Sequence, residues 1–269
     1  MKSASLSLAV LAVLAPLAAS AAEPKAKTEL TWYGHAAFVV KTPKGAVLAI
    51  DPWLTNPSAK DKEAVQKLDK VDYILVTHGH GDHVGDAIAI GTKTGAKLVT
   101  IFDLSKALVA AGYPKEQATV MTAGNIGGTI ALTDEVSVTI VPAVHSSTYQ
   151  KDEATPVAAT GSPIGFVVHI QGGPTIYHTG DTDVMGDMKL IGERFKPDLM
   201  LACIGGHFTM DPAGAALAAT LVRPKQIVPM HFGTFPVLKG TPAALEKELK
   251  ARGSRAKVIE MHIGETRAF

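Results

Sequence analysis

Short apolar runs recur along most of this chain, separated by glycine-, proline- and charge-rich connections. Runs of strand length are expected at Glu29–Tyr33, Phe38–Lys41 and Val47–Ile50. Ser58–Leu68 has helical spacing with a charged face. Tyr73–Thr77 reads as a further strand, Val84–Thr92 as a helix and Lys97–Thr100 as a strand. Asp103 is placed as the N-cap of a helix that ends near Gly112, with Pro114 as a stop. Further strands are expected at Gly128–Leu132, Ser137–Val141, Gly165–Ile170, Thr175–His178, Asp198–Ile204 and Gln226–Met230. Asp211-Pro212 supplies an N-cap and a proline at the first helical position, opening an Ala-rich helix to about Val222. Thr241-Pro242 opens another, ending near Gly253, and Lys257–Ile263 reads as a final strand. Strand clusters with helices between them predict two sheets face to face with helices outside. Periodicity alone does not separate this from other mixed α/β folds.

Composition narrows the class. The chain has 269 residues, 46% hydrophobic and 19% charged, which suits one domain with a sizeable core. The formal net charge of +1 gives no support for a nucleic-acid surface. Met1-Lys2, the apolar run Leu6 to Ala18 and Ala19-Ser20-Ala21 read as a secretory signal peptide over 1–21. The apolar run falls short of the ~20 residues a membrane span needs. A single domain over 22–269, periplasmic or secreted, is therefore expected. The lone Cys203 can form no internal disulfide, and its apolar surroundings make it a small buried hydrophobe.

Chemistry concentrates in His78-Gly79-His80-Gly81-Asp82-His83, directly after the strand Tyr73–Thr77. Imidazole and carboxylate together suit Zn²⁺, Mn²⁺ or Fe²⁺ and not Ca²⁺, which wants oxygen alone. Gly79 and Gly81 are expected to let the backbone bend until the side chains converge. Four ligands at this spacing are too many for one ion and suit two side by side. His145, Asp181 and His231 each lie just past a predicted strand, where a rigid sheet can fix a ligand.

The run resembles the H-x-H-x-D-H signature of the metallo-β-lactamase superfamily. Trp32-Tyr33-Gly34-His35, Tyr177-His178-Thr179-Gly180-Asp181-Thr182 and Pro229-Met230-His231-Phe232-Gly233-Thr234 are similar to the branch of metal-dependent hydrolases related to L-ascorbate-6-phosphate lactonase. The resemblance implies an α+β, four-layer αβ/βα sandwich with two mixed sheets flanked by helices. It implies two divalent metal ions, zinc first, with manganese or iron as alternatives. His78, His80 and His145 would hold one ion; Asp82, His83 and His231 the other; Asp181 would bridge them. The implied activity is hydrolysis of a small-molecule ester, lactone or phosphoester by a metal-bridging hydroxide. A β-lactamase-like amide hydrolase, a non-haem di-iron oxidoreductase and a non-catalytic metal-binding protein are the alternatives.

Asp82 and His207 are the candidate catalytic residues, His207 as a proton donor or substrate clamp in the Gly205-Gly206-His207 loop. His35 is divided between lining the active site and capping a loop. Asp51 is divided between hydrogen-bonding a ligand histidine and making a turn before proline. His169, His178 and His262 read as structural, with His178 near enough to orient Asp181.

Overall fold

The computed structural model describes Met1 and residues 27–269; apart from Met1, the leader expected over 1–21 lies outside the described residues. The first sheet collects β1 (Glu29–Trp32), β2 (Phe38–Lys41), β3 (Val47–Ile50), β4 (Tyr73–Leu75), β5 (Lys97–Ile101) and β6 (Ala123–Gly124). The second collects β7 (Thr129–Ala131), β8 (Val136–Pro142), β11 (Ile164–Ile170), β12 (Thr175–His178), β13 (Leu199–Cys203), β14 (Gln226–Met230) and β15 (Lys257–Val258). Between β8 and β11, β9 (Thr148–Tyr149) and β10 (Ala158–Ala159) form a separate two-stranded ribbon. The last strand, β16 (Thr266–Ala268), returns to the first sheet and pairs antiparallel with β1.

The two sheets share a plan. Each is antiparallel along one part and parallel along the other: β3–β4–β5–β6 in the first, β12–β13–β14–β15 in the second. Parallel strands need covered faces on both sides and are apolar throughout. β4 and β13 are buried at every residue. The helices are α1 (Ala64–Lys67), α2 (Gly81–Val84), α3 (Ala87–Thr94), α4 (Phe102–Ala111), α5 (Met188–Phe195), α6 (Pro212–Val222) and α7 (Pro242–Ala251). The first four belong to the first sheet's connections and the last three to the second's, giving the expected sandwich of two sheets flanked by helices. No helix among the described residues is long and apolar enough to cross a membrane.

Several local expectations need correction. Only Ala64–Lys67 of the helical segment before β4 is helix. The helix after the histidine run is two pieces, α2 and α3, because Gly85 at φ 42° ends the first. Helix α4 starts at Phe102 with Ile101 as its cap, so Asp103 lies in the first turn and caps nothing. The stretch expected as one last strand breaks after Val258, and the chain crosses to the other sheet before β16. Helix α5 was not expected. His169 is exposed rather than core; its Nδ1 lies 3.2 Å from Thr175 Oγ1 at the open end of β11. The Asp211 and Thr241 caps are as expected, accepting from the Gly214 and Ala244 N–H groups.

Candidate metal centre

Six strands of the two sheets end at one place. Beyond their C-terminal ends lie His35 (β1), Asp51 (β3), His78 to His83 (β4), His145 (β8), Asp181 (β12) and His231 (β14). Loops at the carboxyl ends of strands are where open α/β sheets bind ligands. Backbone bonds stitch the two sheets together here: Ile164 N–H donates to Thr77 O, and His231 N–H to His35 O, at 3.1 and 3.0 Å. Gly180, at φ 60°, fits this seam because a Cβ would stand 2.4 Å from the Ile164 carbonyl oxygen. Gly79 serves packing and not bending. Its φ is ordinary, and a Cβ there would meet Thr148 of β9 and Thr160, the residue after β10. Gly81 faces open space.

Two pockets of donors result. In the first, His78 Nε2 lies 3.0 Å from His80 Nδ1, which is 3.3 Å from His145 Nε2. In the second, Asp82, His83, His231 and His35 bring their donor atoms within 4.8 Å of one another. Asp181 stands between. Its Oδ1 is 3.3 Å from His83 Nε2, and its Oδ2 is 3.0 Å from His231 Nε2 and 3.6 Å from His145 Nε2.

Buried polar atoms are nearly always hydrogen-bonded. Here His83 Nε2, Asp181 Oδ1 and both ring nitrogens of His231 are buried and make no aligned hydrogen bond. Four such atoms in one cluster, all borderline nitrogen or hard oxygen donors, fit divalent cations of the zinc, manganese and iron type. The family described as a Beta-lactamase superfamily domain matches residues 47–232. A UPF0173 metal-dependent hydrolase of Anaeromyxobacter dehalogenans is 60% identical, over 97% of this chain and 97% of its own. Another, of Thermodesulfovibrio yellowstonii, is 50% identical over 96% of both chains. The solved structure of a metallo hydrolase from the archaeon Ignicoccus hospitalis superposes with a TM-score of 0.78 at 37% identity, covering 90% of this chain and 98% of that one.

The chain belongs to the metallo-β-lactamase superfamily. Its relatives are metal-dependent hydrolases, and it is one of them.

Around the donors of this metallo-β-lactamase fold runs an outer ring of hydrogen bonds. Asp51 is fully buried, at φ 44°. Its Oδ2 accepts from His83 Nδ1 at 2.8 Å and from the Thr77 hydroxyl at 2.7 Å, and its Oδ1 accepts from Thr77 N–H. Since the Thr77 hydroxyl donates to Asp51, it accepts from His78 Nδ1 at 3.0 Å. One carboxylate therefore fixes the tautomer of a histidine in each pocket, leaving both Nε2 atoms free to coordinate. Of the two readings left open by the sequence, Asp51 makes the hydrogen bond to a histidine of the run, His83. His178 Nε2–H donates to Ala36 O, and its Nδ1 accepts from Gly180 N–H beside Asp181.

Charge divides the pockets. Burial pushes His78 well below the ordinary imidazole range, and it lowers His80 and His145 as well. Burial opposes a charge on His83 too, but Asp181 and Asp51 overcome it and raise His83 well above that range. Burial works to raise Asp82; the His35 hydrogen bond and the charges of His83 and His35 outweigh it and hold the carboxyl below its usual range. Asp181 is held down in the same way by His83 and His231.

His35 lies in the site: it is buried, with Nε2 3.1 Å from Asp82 Oδ2 and Nδ1 2.9 Å from Thr234 Oγ1. His207 is exposed at φ 60° and packs edge-on against Phe208. It borders a cavity of about 420 Å³ with Asp211, Val237 and Lys239, and is not among the convergent donors. Its loop is nonetheless tied to the site, because a Cβ on Gly205 would stand 2.2 Å from the His231 carbonyl oxygen. Cys203 is buried and its thiol pushed up to about 11 by burial, as befits a packing residue.

Proposed function

We propose that this protein is a binuclear hydrolase of small-molecule esters, lactones or phosphoesters. His78, His80 and His145 hold one divalent ion, zinc first; Asp82, His83 and His231 hold the second, and Asp181 serves both. The observation that carries the reading is the position of Asp181, whose two oxygens reach histidines of both pockets. Bound divalent ions lower the pKa of water toward neutrality and polarise a scissile carbonyl or phosphoryl oxygen.

The chain's residues do the rest. His80 and His145 are half-buried, so the first pocket meets solvent, while His83 and His231 are sealed. Asp82, 26% exposed and held ionised, orients the attacking water. His207, on the loop braced against His231, clamps the substrate or supplies a proton to the leaving group. Elemental analysis of protein purified without chelator is expected to approach two metal equivalents per chain. A panel of lactones, carboxylic esters and phosphodiesters, run with a metal-stripped control, names the bond cleaved. A folded, fully active preparation that saturates at one equivalent overturns the binuclear reading. The mature protein is proposed to be exported and cut near Ala21; N-terminal sequencing of periplasmic protein tests this, and soluble protein retaining Met1 refutes it.

A further inference from the structure

The second pocket holds one more donor than the superfamily pattern supplies. Its Nε2 atom belongs to His35, from the turn after β1, far in sequence from the histidine run. Four observations bear on what it does. Its Nε2 stands 3.1 Å from Asp82 Oδ2, and its ring centre is 3.9 Å from that of His231, tilted by 44°. Both nitrogens of His231 lack an aligned hydrogen bond, so the two rings do not hold each other in place by one. The other nitrogen of His35, Nδ1, sits 2.9 Å from the Thr234 hydroxyl. A metal-bound histidine characteristically donates its second ring N–H to such an oxygen, which turns the remaining lone pair inward.

The backbone is shaped for the same end. His35 and His231 both adopt left-handed φ, 52° and 57°, which non-glycine residues rarely do, and the His231 N–H bonds to the His35 carbonyl. Such strain persists where surrounding structure over-determines it, characteristically at ligand clamps. Trp32 Nε1–H donates to the same carbonyl at 3.1 Å, and Trp53 and Phe235 pack edge-on to the imidazole. The ring is thus fixed from its backbone, its flanks and its Nδ1, with Nε2 the atom turned to the donors.

We infer that His35 is a ligand of the second metal ion, coordinating through Nε2 with Thr234 as its orienting partner. This rests on the binuclear reading above and makes the two pockets unequal. The second becomes the fuller and tighter one, with Asp82, His83, His231 and His35 besides the shared Asp181. The first has one donor fewer, three imidazoles and Asp181, and its His80 and His145 are half-buried, so it is the pocket that solvent reaches. The exchangeable, substrate-facing ion is then the one at His78, His80 and His145.

The direct test is a crystal structure of the wild-type protein loaded with Zn²⁺ alone, with zinc located by anomalous scattering. The expected result is an ion within about 2.0–2.1 Å of His35 Nε2. An ion bound by Asp82, His83 and His231, with His35 Nε2 out of bonding reach and donating to Asp82, overturns this inference and leaves the binuclear reading standing. Zinc in the first pocket only overturns both. A second measurement uses the visible absorption of the Co²⁺-loaded protein, which reports coordination. His35→Ala should alter the bands of the second ion and weaken its binding by ~10–100-fold or more, with added imidazole restoring the bands. Unchanged bands in a folded His35→Ala protein would also overturn the assignment.

Discussion

The three-imidazole pocket and the carboxylate-bearing pocket share Asp181 and lie side by side, but they are built by opposite means. In the first, burial discourages charge on His78, His80 and His145, so each presents a neutral lone pair. In the second, charge is retained and balanced: Asp82 and Asp181 stay ionised beside His83, and Asp51 stands behind. The first is partly open; in the second only Asp82 keeps appreciable exposure. A pocket of neutral donors can exchange ligands without leaving a buried charge unpaired. A pocket of paired charges resists any change that removes one partner.

Removing the shared residue should have the largest effect. Asp181→Ala is expected to lower turnover by about 10³-fold, a loss of the size seen when a main electrostatic group is deleted. It should also weaken both ions in a chelator titration. Loss of only one ion would mean that Asp181 belongs to a single pocket. Next come Asp82→Ala and His231→Ala. Turnover should collapse and about one metal equivalent be lost, with the far-ultraviolet circular dichroism of the wild type retained. Near wild-type turnover in either would remove that residue from the second pocket.

His207 lies outside both pockets and sharpens the comparison from that side. His207→Ala should keep two ions and lower kcat by ~10²-fold, more than KM changes. Unchanged kinetics on a verified substrate would make it structural, and a lost ion would make it a ligand. Asp51 supports both pockets, directly through His83 and through Thr77 to His78. Asp51→Asn should therefore weaken both ions by ~10–100-fold. Asparagine tolerates the left-handed backbone there. An effect confined to one ion would break the Thr77 relay.

The smallest expected effect is a pH dependence of opposite sign at the first-pocket histidines and at His83, read as Tm of the metal-stripped protein. The first-pocket histidines titrate below the ordinary 6.5 when folded, so the unfolded chain takes up protons first. Stability is lost as pH falls below 6.5. His35, lowered to about 4 chiefly by burial, adds to the loss across that window. His83 is raised, so its contribution is full below 6.5 and is lost as pH rises toward its folded value. His145→Gln should flatten the acid-side fall in Tm, and His83→Gln the alkaline-side fall. Variants that flatten the same limb would show that these histidines do not differ in this way.

Most residues of the donor cluster could be read from the chain because each rests on a local feature. The histidine run follows a strand that is apolar at every residue. His145, Asp181 and His231 follow segments of strand length, largely buried, with polar residues among the apolar ones. Helices α6 and α7 announced themselves through Asp211-Pro212 and Thr241-Pro242, since a side-chain cap and a proline act within one turn. Helix α5 did not: its N-cap Asp187 makes no side-chain cap and no proline opens it. Strand β16 was equally silent, because its partner β1 lies at the other end of the chain and only pairing makes it a strand.

The sequence by itself determined most of the strands and helices, the cluster His78 to His83 and the kind of cation it suits. Side-chain chemistry and spacing along one strand end are local properties. Only the tertiary structure decided that Asp51 supports histidines of both pockets and that His35 stands beside Asp82 and His231. It alone set His207 apart from the donors. Those outcomes depend on where six strand ends from two sheets meet, and on backbone bonds such as His231 N–H to His35 O that join residues distant in the chain. Burial and neighbouring charge at that meeting point set whether His78, His80 and His145 stay neutral and His83 takes a charge, and neither is written in any single segment.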